Sequence, residues 1–109
     1  MFCLSEGHMK VIIKSPSEKY GHEAEIPNTL EALQEAVGGY IETVTMPDFV
    51  VICNEYGRIL CLDQNCLING VVFVGPIVIA GVDGENFTDC PLDIIQWRER
   101  FSYKIDWRR

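Results

Sequence analysis

"NTLEALQEAVGGYIETV", residues 28–44, decides the fold, because one short stretch holds a helix, its stop signal and the start of a strand. Leu30, Leu33 and Val37 fall at i, i+3 and i+7, one apolar stripe of an amphipathic helix, while Glu31 and Glu35 lie on the wet side. Asn28 reads as the N-cap, and Glu31 three residues later gives a capping-box pattern. Pro27 restricts Ile26 to extended backbone and so ends whatever precedes the helix. Gly38 suits the left-handed C-terminal cap that side chains avoid. Gly39 then lets the chain swing into "YIETVT", whose alternation marks a strand with one wet face. The stretch reads as scaffold, with Tyr40 and Glu42 as its outward contribution.

Working outward, Met9–Lys14 reads as a first strand, rich in β-branched residues. A polar turn follows, and His22–Ile26 pairs back as a short edge strand. Phe49–Cys53 and Ile59–Leu62 look like the arms of a β-hairpin around Asn54–Gly57. Residues 63–70, "DQNCLING", read as a polar loop. The apolar run Val71–Val82 is long for one strand, and Gly75–Pro76 divides it. "DGENFTD", residues 83–89, reads as another loop, turning at Asp83–Gly84. Pro91 suits the first position of a second helix that continues "LDIIQWRERF", with Ile94, Trp97 and Phe101 on one face. The expected fold is a single α+β domain over residues 9–109. It is a mostly antiparallel sheet with two helices covering one face, after a leader of residues 1–8 that forms no clear element. Met9 is as natural a start as Met1.

The charge is uneven. Residues 1–97 carry four basic and fourteen acidic side chains, a net of −10, and residues 98–109 carry five basic and two acidic, a net of +3. So acidic a body repels nucleic acid, whose binding needs lysine and arginine to release counterions. It either keeps the protein soluble or attracts a basic protein surface. The longest apolar run holds two glycines and a proline and falls short of the roughly 18 residues of a membrane span. No secretion signal precedes it, and the expectation is a cytoplasmic protein with no membrane partner.

Five cysteines, an odd number, speak against a disulfide framework. No CxxC or CxxH pair gives zinc spacing, and no metal or other cofactor is expected. Cys53 and Cys61 lie in apolar runs, where a thiol acts as a small hydrophobe. Asp83, Glu85, Asn86 and Asp89 lack the glycine and bidentate glutamate of a calcium loop. Phosphate-loop, dinucleotide and G-x-S-x-G patterns are all missing. The C-terminal run "WRERFSYKIDWRR" interleaves aromatics with arginines, as a core-covering helix, a protein interface or a base-stacking surface each would. The core-covering reading is the simplest.

Three blocks, "IPNTLEALQEAVGGYIETVTM", "VVICNEYGRIL" and "VGPIVIAGVDGENFTDC", closely resemble the domain-of-unknown-function family numbered 3846. The resemblance runs from about Met9 to Trp97. It implies an origin in phages, plasmids and other mobile elements, and it brings no catalytic residues. The chain departs from the family pattern at Leu62–Cys66, where only Asn65 fits, and again after Trp97.

Small size, the lack of any motif for chemistry, the acidic body and the resemblance together imply a non-enzymatic binding protein. Its expected partner is a host protein that it inhibits or modulates, for example one of the defence nucleases. A small-molecule or nucleotide-binding module is the alternative. Tyr40, Glu42, Asn54, Glu55, Tyr56 and Asn65 are the candidate contact residues, being polar or aromatic side chains near strand ends.

Overall fold

A computed structural model describes residues 7–100 and the strand Ile105–Trp107. The expected leader falls largely, and Phe101 wholly, outside the described residues. The chain runs β1 (His8–Lys14), β2 (His22–Pro27), α1 (Leu30–Val37), β3 (Ile41–Thr45), β4 (Val50–Asn54), β5 (Gln64–Ile68), β6 (Val71–Val74), β7 (Ile77–Asp83), β8 (Asn86–Thr88), α2 (Ile94–Arg100) and β9 (Ile105–Trp107). The main sheet has the order β2-β1-β7-β4-β3, with β8 also pairing on β7. A second sheet has the order β6-β5-β9. Every ladder among the described residues is antiparallel. The α+β class and the antiparallel main sheet agree with the sequence.

The two faces of the main sheet are covered differently. On one, Leu33 and Val37 of α1 pack on Val11, Val50, Ile52 and Val78, whose side chains alternate out of the pleat. On the other, Ile12, Val51, Ile77 and Ile79 meet Phe49, Trp97 and the inner side of the second sheet through Cys66, Ile68 and Phe73. The expectation of both helices on one face is therefore corrected: α1 and α2 lie on opposite faces, and α2 shares its side with a second sheet.

Local signals held unevenly. Gly38 is the αL C-cap at φ 81°, and both its N–H and that of Gly39 donate to the Gln34 carbonyl. The N-cap, however, is Thr29, whose hydroxyl accepts from Ala32 N–H, so the capping box built on Asn28 and Glu31 does not form. Asn28 is buried one residue earlier and donates from Nδ2 to the Phe87 carbonyl, tying the helix entrance to β8. At the second helix, Asp93 caps α2 reciprocally with Gln96, each backbone N–H donating to the other's side chain, and Pro91 lies outside the helix. Gly75–Pro76 does divide β6 from β7.

Three segments differ from the sequence expectation. The expected hairpin partner Ile59–Leu62 is not a strand, and β4 pairs with β3 and β7 instead. The expected loop at residues 63–70 contains β5, which turns into β6 through Asn69 at φ 48° and Gly70 at φ 83°. Two consecutive positive φ values are what a type I′ hairpin needs, and Asn-Gly supplies them. Likewise Asn86–Thr88, expected as loop, pairs with β7 across Gly84–Glu85.

Candidate functional site

The site is built where α1 ends and β4 ends, side by side. Asn54 closes β4 and is buried. Its Nδ2 donates to the Val37 carbonyl at 3.2 Å, satisfying one of the orphan acceptors at the helix C-terminus. Its Oδ1 accepts from Tyr56 N–H at 2.8 Å, the short-range bond by which asparagine starts a turn. Glu55 N–H donates to the Tyr40 carbonyl. A Cβ on Gly39 would stand 2.9 Å from Asn54 Nδ2, so this glycine is required for the approach. The Gly38–Gly39 stop thus does more than end a helix: it admits the side chain that fixes the next turn.

That stitching holds Tyr40 against Tyr56, edge to face, with centroids 6.3 Å apart. Beyond Tyr56 the chain forms a compact turn, with Leu60 N–H on the Tyr56 carbonyl and Leu62 N–H on the Gly57 carbonyl. Its Ile59 and Leu60 side chains point outward. Tyr40 is 65% exposed, Tyr56 45%, Ile59 78% and Leu60 59%, an apolar and aromatic cap at one end of the sheet. Beside the cap lies a groove of about 300 Å³ between β3 and β6, lined by Glu42, Val44, Glu55, Arg58, Val71 and Phe73 among others. Arg58 donates to the Val72 carbonyl at 2.7 Å, bridging the turn to β6.

Five of the six candidate residues meet here. Tyr40, Glu42, Glu55 and Tyr56 are exposed, while Asn54 is an internal brace rather than a contact. Asn65 is elsewhere, which corrects its reading as a loop contact. It is the extra residue of a bulge in β5, with 0% of its surface exposed. Its Nδ2 donates to the carbonyls of Lys14 and Gly75, and its Oδ1 accepts from the buried Lys14 ammonium. Arg58, Ile59 and Leu60 were missed as site residues, because an apolar pair beside a turn reads as a strand arm.

Burial, and then the Glu42 carboxylate, push the Cys53 thiol up to about 11, so it is a neutral thiol at pH 7. Burial pushes Cys66 to about 11 as well. Cys61, expected to be buried with Cys53, is exposed. Ser15, Glu18 and His22 are connected, with the Glu18 carboxylate between the hydroxyl and the imidazole. The imidazole therefore has no contact through which to take the serine proton. Among the described residues no three His, Cys, Asp or Glu side chains are placed to hold a metal ion. Nor does any helix among them have the length and apolar character to cross a membrane.

The family described as "Domain of unknown function (DUF3846)" matches residues 9–102. The chain belongs to the DUF3846 family. No curated protein and no solved structure matches it. Membership covers every element from β1 to α2, the cap included, and the family's description names no reaction.

Proposed function

We propose that this DUF3846 protein is a non-enzymatic module that binds another protein, and that its partner is a host factor it inhibits or modulates. The observation that carries the reading is the cap of Tyr40, Tyr56, Ile59 and Leu60, with the Tyr56 backbone tied to the end of α1 through Asn54 and the four side chains left in water. Folding gains nothing from exposing two tyrosines, an isoleucine and a leucine together, whereas tyrosine is enriched at interface hot spots. Preorganisation lowers the entropy lost on docking. The net of −10 over residues 1–97 favours a partner with a basic surface. Glu42 and Glu55 on the groove would repel a phosphate, and its one lining arginine is engaged with Val72, which weighs against a nucleotide ligand.

Affinity capture from host lysate tests this, using the tagged full chain beside a Tyr56→Ala/Ile59→Ser variant. The expected result is a partner retained by the wild type and lost by the variant. Equal recovery by both proteins, or no partner for either, would sink the reading.

A further inference from the structure

We propose that the occupant of this surface is an extended segment of the partner, added as a further strand to the open edge of β3, apolar in character and carrying a lysine or arginine that meets Glu42 and Glu55. The inference rests on the protein-binding reading and specifies its mode. Tyr40 C=O and Met46 N–H both bond toward the β4 side. In an antiparallel ladder the residues that bond inward alternate with those that bond outward, so Ile41, Thr43 and Thr45 direct their N–H and C=O groups away from β4. Among the described residues nothing pairs with them, since β3 ends the strand order.

The other edges are blunted. The β2 edge carries Glu23, Glu25 and Pro27, the charged residues and proline that discourage pairing. At β6, Arg58 from the neighbouring turn occupies the Val72 carbonyl. The three-residue β8 and β9 offer little length. Against these, β3 presents "IETVT": no proline, no bulge, four β-branched residues out of five and a single charge, Glu42. An unprotected edge of that kind is either a hazard or a recognition element. The cap supplies anchors at its start, at Tyr40 and Tyr56.

Charge selects the occupant. An added strand would place alternate side chains over Glu42 and Val44 on the groove side, so one position meets a carboxylate and the next an aliphatic wall with Val71 and Phe73 behind it. A second copy of this chain fits less well, because two bodies each of net −10 over residues 1–97 repel. A partner with basic residues in an otherwise apolar strand satisfies both features.

The test is selection of random 12-residue peptides displayed on yeast against the full chain. Enriched sequences are expected to be rich in β-branched or aromatic residues, to carry at least one Lys or Arg, and to lack internal proline. With the best peptide, Thr43→Pro should weaken binding about tenfold or more, because it removes an outward N–H without touching a bond to β4. Circular dichroism confirms the fold, and if that variant does not fold, Glu42→Lys, which leaves the backbone alone, is expected to show a loss of similar size. Enriched peptides that are acidic or proline-rich, or no enrichment, overturn the inference. Binding lost with Tyr56→Ala but unchanged by Thr43→Pro and Glu42→Lys also overturns it, and leaves the protein-binding reading standing. A concentration-dependent dimer that Thr43→Pro abolishes would replace the peptide with a second copy.

Discussion

The two faces of the main sheet are assembled on different physical terms. Against α1, Met9, Val11, Leu33, Val37, Val50 and Val78 make a dry, nearly all-aliphatic seam. Burial there is non-directional and scales with area. On the opposite face Phe49 and Trp97 meet edge to face at 5.7 Å, and Trp97 Nε1 donates to the Tyr20 carbonyl at 2.7 Å. The buried Lys14 and Asn65 add directed bonds between β1, β5 and the Gly75 turn. A helix can settle on an aliphatic seam with some latitude. A small sheet riding on the other face needs its position specified, and the polar brace specifies it.

That contrast can be broken most sharply at Trp97. Trp97→Ala removes the largest buried side chain among the described residues and its bond to Tyr20 together, and should cost about 4 kcal/mol in urea unfolding. Asn65→Ala comes next, at about 3 kcal/mol, because the Lys14 ammonium and the carbonyls of Lys14 and Gly75 lose their amide partner inside the protein. If the ammonium and the amide act as a unit, the double replacement Lys14→Met with Asn65→Leu recovers part of that loss, since the ammonium no longer needs a partner while the carbonyls of Lys14 and Gly75 still lack the amide donor. Additive losses would show that the two side chains act separately.

The same lysine sets a pH signature. Desolvation lowers the folded pKa of Lys14 below its ordinary 10.5, so between the two values the unfolded chain binds more protons and stability rises with pH. The thiols of Cys53 and Cys66 act the other way. Each is about 11 when folded against an ordinary 9.0, so between those values the folded chain holds more protons and stability falls. Lys14→Met leaves only the falling contribution. Its urea midpoint should drop more between about pH 8 and about pH 10 than that of the wild type.

The aliphatic seam should respond weakly to a change of shape at constant volume. Leu33→Met is expected to cost under about 1.5 kcal/mol, because methionine is flexible enough to refill the space. This face was also the one legible in the sequence. Period 3.6 in α1, period 2 in the strands beneath it and the αL glycine at residue 38 are local signals, and they agreed. The opposite face was not legible, because its logic is not local. Asn65 looks like a loop residue until Lys14, 51 positions away, is seen to need it. The type I′ pair Asn69–Gly70 did announce the β5–β6 hairpin, and polar neighbours obscured it. The cap reversed the usual inference from apolarity to burial: Ile59 and Leu60 read as a strand because a side chain's hydrophobicity does not say whether its surroundings close over it.

The smallest effect on stability is expected at that cap, and it is the sharpest check on what the cap is for. Ile59 contributes almost nothing to either apolar cluster, being 78% exposed, so Ile59→Ser should move the unfolding free energy by no more than about 0.5 kcal/mol. Replacing an exposed isoleucine with serine should also reduce self-association at high concentration. If the surface is instead a partly packed extension of the core, the variant will lose stability on the scale of a buried aliphatic, about 1.5–3 kcal/mol. A near-zero change means that this exposed cluster contributes little to holding the fold together, as the proposed docking role requires.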